Sequence, residues 1–218
     1  SVTSSTQLTA YPSTGATGAI SVITPGGTAT ITGYTYQLAP TTQANSINFS
    51  ATTNTQTTIA WTNGNGAKRI VFVKAGSTGN ALPKNAITYT ANTQFGSGDQ
   101  IDNTGWYTVY NGTGNSVAIT GLNEMTTYRV MVLEYNGNTG TEVYFTNTFS
   151  ANPNNMTTLG PTITSSVNTV NQIQACINTP SATQSITVSG QYLTSNMNLT
   201  AAAGFEISTV ASSGYSST

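Results

Sequence analysis

Nowhere along the chain do apolar residues recur at the 3.6-residue spacing of an amphipathic helix. Short β-branched and aromatic runs recur instead, separated by Gly, Asn and Pro, which is the pattern of a sandwich or barrel. The strands it predicts are Ala19–Ile23, Thr28–Leu38, Ser46–Ala51, Thr57–Thr62, Arg69–Lys74, Trp106–Tyr110, Ser116–Thr120, Tyr128–Tyr135 and Ser185–Ser189. Asn63-Gly64-Asn65-Gly66, Asn111-Gly112 and Asn136-Gly137 each follow such a run. Asn-Gly tolerates the positive φ of tight hairpin turns, so hairpins are expected there. The fold class is all-β.

Two stretches divide the chain. Ala39-Pro40-Thr41-Thr42-Gln43-Ala44-Asn45 lacks apolar residues large enough for a core, and Pro153 to Pro161 is a second polar, turn-prone run. The expected units are 1–39, 40–160 and 161–218. Within the central unit, Ile59 and Trp61 share one strand face, as do Tyr128, Val130 and Val132. Leu122 stands six residues before Tyr128, the spacing of a tyrosine corner, in which the phenol hydrogen-bonds to nearby backbone. The structural core is therefore assigned to Ile59, Trp61, Leu122, Tyr128, Val130 and Val132.

These residues resemble a fibronectin type III domain, through Trp61 and through Leu122 with Tyr128-Arg129-Val130-Met131-Val132. The variety is that of large surface and secreted proteins of Bacteroidetes. Those proteins carry runs similar to Trp61-Thr62-Asn63-Gly64-Asn65-Gly66, Arg69-Ile70-Val71, Tyr89-Thr90-Ala91-Asn92, Phe95-Gly96-Ser97-Gly98, Tyr110-Asn111-Gly112-Thr113-Gly114-Asn115 and Glu134-Tyr135-Asn136-Gly137. Ser185-Ile186-Thr187-Val188-Ser189-Gly190 and Ala203-Gly204-Phe205-Glu206-Ile207 are similar to the first half of an Ig-like repeat of the same proteins. Residues 1–39 would then be closing strands of a preceding sandwich, or would complete the Ig-like half of a neighbouring chain. The sequence starts without an initiator Met or signal peptide, so it is expected to begin after processing or inside a longer protein.

Composition narrows the chemistry. Only 5% of the 218 residues are charged, against about 25% in an average domain. The net charge is −1, and Lys68-Arg69 is the one basic cluster, which leaves nucleic acid without a phosphate-tracking surface. No run reaches the roughly 18 apolar residues of a membrane span. With no His and one Cys, a Ser-His-Asp triad, a Cys–His nucleophile and a thiolate–imidazole zinc site are all excluded. No cofactor is expected. Cys176 is read as a buried thiol, with a bridge between chains as the alternative.

A carboxylate pair is the remaining route to acid–base chemistry. Of the six acids, only Asp99 and Asp102 lie close in sequence, in a glycine-rich loop. Calcium takes oxygen ligands from such loops, although the spacing is not that of an EF-hand. A solvated loop is the plainer reading. Lys68, Arg69 and Lys74 are expected to keep a sheet edge soluble, and an internal Lys–Asn isopeptide bond is disfavoured because the lysines lie at strand ends and turns. Trp106, Thr108 and Tyr110 should share one strand face, and Tyr107 and Val109 the other. An exposed aromatic row could stack on sugars, but core packing is the default. Glycosylation sequons stand at Asn48, Asn111, Asn155 and Asn198, a pattern that an Asn/Thr-rich chain also produces by chance.

The function expected is a non-catalytic structural or adhesive segment of an extracellular or cell-surface protein, acting as spacer and interaction module. Its expected partners are other copies or other domains of a surface protein, with surface glycans as a further candidate. The family resemblance implies export by the type IX route. The alternatives are a filament subunit assembled by strand complementation and a carbohydrate-binding accessory of a secreted enzyme.

Overall fold

A computed structural model describes residues 2–4, 7–8, 17–34, 36–176, 179, 181–210 and 213–215. Among them are fourteen strands and no helix. In chain order these are β1 (Val2–Ser4), β2 (Gln7–Leu8), β3 (Gly18–Thr24), β4 (Gly27–Tyr34), β5 (Asn45–Ser50), β6 (Thr57–Thr62) and β7 (Lys68–Ala75). Then follow β8 (Tyr107–Gly112), β9 (Ser116–Ile119), β10 (Thr127–Asn136), β11 (Val143–Tyr144), β12 (Asn154–Thr157), β13 (Thr162–Ser165) and β14 (Val188–Gln191).

Strands β5 to β12 build one antiparallel sandwich. A three-stranded sheet has the order β5-β6-β9, and a larger one the order β11-β10-β7-β8, with β12 also on β10. The unit is all-β and fibronectin type III-like. Alternation along β6 buries Thr57, Ile59 and Trp61, and Ile59 and Trp61 meet Val71, Val73, Val109, Val117, Ile119, Leu122, Tyr128, Val130 and Val132 between the sheets. All six residues assigned to the core from the sequence lie in this cluster. The Asn123 N–H donates to Tyr128 Oη at 2.8 Å, the bond of a tyrosine corner.

The larger sheet is buried on its other face too. Ile70, Phe72, Met131, Leu133 and Tyr135 pack there against Ala81, Tyr89, Ile101 and Trp106 from the long β7–β8 connection, and against Tyr144. For this reason β7 and β10 carry near-continuous apolar runs, with burial on both faces from Arg69 to Val73 and from Val130 to Tyr135.

Several expectations need correcting. The run from Pro153 to Pro161 is not merely a turn-prone link: β12 lies in it, pairs with β10 from Thr127↔Thr157 to Val130↔Asn154, and buries Met156. Gln43 and Ala44, in the run read as too polar for a core, are 1% and 0% exposed. Only one of the three Asn-Gly runs makes a hairpin, Asn136-Gly137 between β10 and β11, where Gly137 has φ +97°. Asn63 to Gly66 carries the chain from one sheet to the other, and Asn111-Gly112 ends β8, paired with Ile70 and Arg69, before the chain crosses back. The Trp106–Tyr110 faces also differ. A register shift between Val71↔Tyr110 and Phe72↔Thr108 leaves Val109 as an extra residue. Tyr110 therefore turns toward the inter-sheet core with Val109, while Trp106 joins the outer one.

Candidate functional site

The most highly organised polar cluster lies where β6 crosses to β7. Glu134, on β10, is fully buried. Its Oε1 accepts from Gly64 N (2.8 Å) and Arg69 Nε (2.9 Å), and its Oε2 accepts from Gly66 N (2.8 Å). Arg69 extends the lock by donating to Gly66 O (3.0 Å) and Thr113 O (3.1 Å). A buried charge persists only when paired and hydrogen-bonded, and both conditions hold here.

The glycines of Asn63-Gly64-Asn65-Gly66 follow from this approach rather than from positive φ. A Cβ on Gly64 would lie 2.1 Å from Thr42 O, and one on Gly66 would lie 2.7 Å from Glu134 Oε2. Arg69 thus corrects the solubility reading given to Lys68, Arg69 and Lys74. Their strand is flanked by β8 and β10, not at an edge, and Arg69 is only 8% exposed. Lys68 Nζ donates to Asn138 Oδ1 at 3.1 Å.

Beside the lock, two side-chain amides stand in for a missing strand. β11 and β12 pair with opposite ends of the same edge of β10 and leave a gap between them. In that gap Asn152 Oδ1 accepts from Val132 N (3.1 Å), and its Nδ2 donates to Val132 O and Ala44 O (2.7 Å each). Gln43 Oε1 accepts from Glu134 N (2.8 Å), and its Nε2 donates to Phe145 O and Asn147 O. Buried backbone groups require partners, and these amides supply them.

A second buried carboxylate serves the outer core. Thr88 donates to Glu142 Oε1, while Glu142 Oε2 is buried without a partner. Burial, and then the nearby Glu142 carboxylate, pushes the phenols of Tyr144 and Tyr135 above their ordinary range, with a hydrogen bond to Asn111 opposing this at Tyr135. Tyr144 Oη donates to Ile87 O (2.8 Å) and Asn85 Oδ1 accepts from Tyr144 N (2.9 Å), so the β7–β8 connection is tied to β11.

The calcium candidates are used separately. Asp99 Oδ2 accepts from Thr90 N at 2.6 Å, whereas Asp102 pairs with Lys84 at 2.7 Å and its hydrogen bond raises the Lys84 pKa. Among the described residues, no three His, Cys, Asp or Glu side chains gather as a metal site. The aromatic candidates do not form an exposed row, since Trp106 is buried and Tyr107 stacks edge-on against Phe95 at 5.3 Å. Asn111 and Asn155, at two sequons, spend their side chains on Tyr89, Tyr135, Ser77 and Arg129. Cys176 is exposed, which overturns its reading as a buried thiol: among the described residues, the segment around it contributes none to either core cluster.

The sequence shows Glu134 and Arg69 as charges and as members of the family-like runs, not as a buried pair, and it gives no role to Gln43, Asn152 or Glu142. The one available signal was a polar or charged residue inside a strongly apolar strand, as Glu134 is in β10.

No family model matches the chain, and none of the curated proteins matches it significantly. Among solved structures, domains d3–d4 of the rat CD45 extracellular region are similar over 66% of this chain and 71% of that one, with 15% identity and a TM-score of 0.31. The superposition is loose, whereas the strand order and the two buried clusters are themselves those of a two-sheet sandwich.

Proposed function

We propose that the chain is a non-catalytic structural and adhesive segment of an extracellular or cell-surface protein, with the central sandwich as a stiff spacer. One observation carries this: the buried charges and amides near β10 brace strands. Glu134 and Arg69 hold the β6–β7 crossing. Gln43 and Asn152 fill the gap in the sheet. Those side chains converge on backbone rather than on an open cleft, and a brace of that kind suits a module that carries load.

The low charge and the resemblance to repeats of Bacteroidetes surface proteins support the extracellular placement, and through it export by the type IX route. Antibodies against the chain, applied to unpermeabilised source cells, test it. Surface labelling that external protease removes is expected, whereas labelling only after permeabilisation would reject the reading.

A further inference from the structure

Asparagine followed by glycine is the dipeptide most open to spontaneous deamidation. The glycine nitrogen loses its proton and attacks the asparagine Cγ, ammonia leaves, and water opens the resulting succinimide to aspartate or isoaspartate. Glycine has no Cβ to obstruct that approach, and Asn is counted among the thermolabile residues. The chain holds four such pairs: Asn63-Gly64, Asn65-Gly66, Asn111-Gly112 and Asn136-Gly137.

Three of them have the asparagine amide tied down. Asn65 Oδ1 accepts from Thr41 N (3.0 Å) and Thr42 N (2.8 Å). Asn111 Nδ2 donates to Tyr89 O (3.1 Å), and Tyr135 Oη donates to Asn111 Oδ1. Asn136 Oδ1 accepts from Ala67 N (2.8 Å), and its Nδ2 donates to Leu38 O (2.9 Å). None of these amides can swing its Cγ onto the next nitrogen without breaking those bonds. Asn63 differs, because its side chain is exposed and hydrogen-bonds to no described residue.

At Asn63 the other reactant is held instead. Gly64 N donates to Glu134 Oε1 and Gly66 N to Glu134 Oε2, each at 2.8 Å. One buried carboxylate thus holds the nucleophilic nitrogen of two Asn-Gly pairs. To attack, that nitrogen must give up a charge-assisted bond. It must also become an anion beside an anion, where little water is present to screen the repulsion.

We propose that Glu134 shields Asn63 and Asn65 from succinimide formation, and that Asn63 is the chain's latent deamidation site, released when the lock opens. Asn65 keeps its own side-chain bonds and reacts more slowly. The damage then outlasts the opening. Isoaspartate routes the backbone through the former side chain and lengthens it by a methylene, which draws Gly64 N away from Glu134. This shielding belongs to the lock itself and does not depend on where the protein resides.

The test follows each Asn-Gly pair by peptide mapping while the full chain is incubated in mildly alkaline buffer. Unfolded in guanidinium chloride, the wild type should deamidate at all four pairs. Folded, it should be slower at each by about tenfold or more, because reaction then waits on local opening. Glu134→Gln should speed Asn63 by about tenfold over the folded wild type, speed Asn65 less, and leave Asn111 and Asn136 nearly unchanged. Glu134→Gln combined with Arg69→Met must show the same order, which keeps the test decisive if the single variant unfolds. Folded wild type reacting at Asn63 as fast as the unfolded chain overturns the proposal. Equal acceleration of all four pairs in the double variant also overturns it, since protection would then come from global stability alone.

Discussion

Glu134 stands in the middle of β10 with Val132 and Leu133 on one side and Tyr135 on the other, and it is fully buried like them. It can be charged there because two backbone N–H groups and Arg69 surround it. Replacing it with Gln should cost about 3–5 kcal/mol in urea unfolding, the range for stranding the partner of a buried pair. Adding Arg69→Met to that variant should recover part of the loss. Gly64→Ala is expected to cost about 3 kcal/mol or more, because the new methyl meets backbone rather than a movable side chain. Gly18→Ala, with nothing near its Cβ, tests the contrast and should be almost silent. The tyrosines give a pH signature. An unfolded phenol titrates near 10, and Tyr135 and Tyr144 are held above that in the fold. Below about pH 10 neither state releases these protons, so their contribution is constant. Above it the unfolded chain ionises first and stability falls. The urea midpoint should therefore hold steady to pH 9 and drop by pH 11, and Tyr144→Phe should shrink the drop. An equal drop in that variant would reject the assignment.

Strands with strong alternation or long apolar runs were legible in the sequence, and β6 matches its expected span of Thr57–Thr62. β12 was not, because an edge strand needs only one apolar residue on its inner face, and Met156 alone supplies it. Nor could the sequence show that Tyr110 turns inward, since a bulge is a property of the pair β7–β8 and not of either strand. The polar lock was hidden for a similar reason: Arg69 and Glu134 meet across 65 positions, and nothing local joins them. Gln43 and Asn152 belong to the same class, because the gap they fill exists only once β11 and β12 are placed on β10. Asn152→Ala should cost about 3 kcal/mol, having removed partners from Val132 N, Val132 O and Ala44 O. Hydrogen exchange at the Val132 amide should accelerate well beyond the change seen at Val73, on the neighbouring strand β7 of the same sheet. Uniform acceleration at both amides would mean that Asn152 serves global stability and not this edge.

At the scale of the whole molecule, a doubly covered sheet is flanked in sequence by end segments in which Ile20, Ile31, Ile163 and Phe205 face solvent. The long β7–β8 connection is part of the folded unit, tied down by Arg129 to Gly79 O and Ser77 O and by Tyr144 to Ile87 O. Limited proteolysis should therefore cut the end segments first and spare this connection, leaving a fragment of roughly residues 40–160. Early cleavage between Gly76 and Gly105 would show that the outer core is not formed. The proposed spacer role requires the central unit to resist extension as one body. Pulling single molecules from their two ends tests that most directly. One dominant rupture is expected, releasing about 400 Å of chain, from roughly 3.3–3.6 Å per residue of the central unit, with a lower rupture force for Glu134→Gln. Gradual extension without a dominant rupture, or a force unchanged by that substitution, would contradict it.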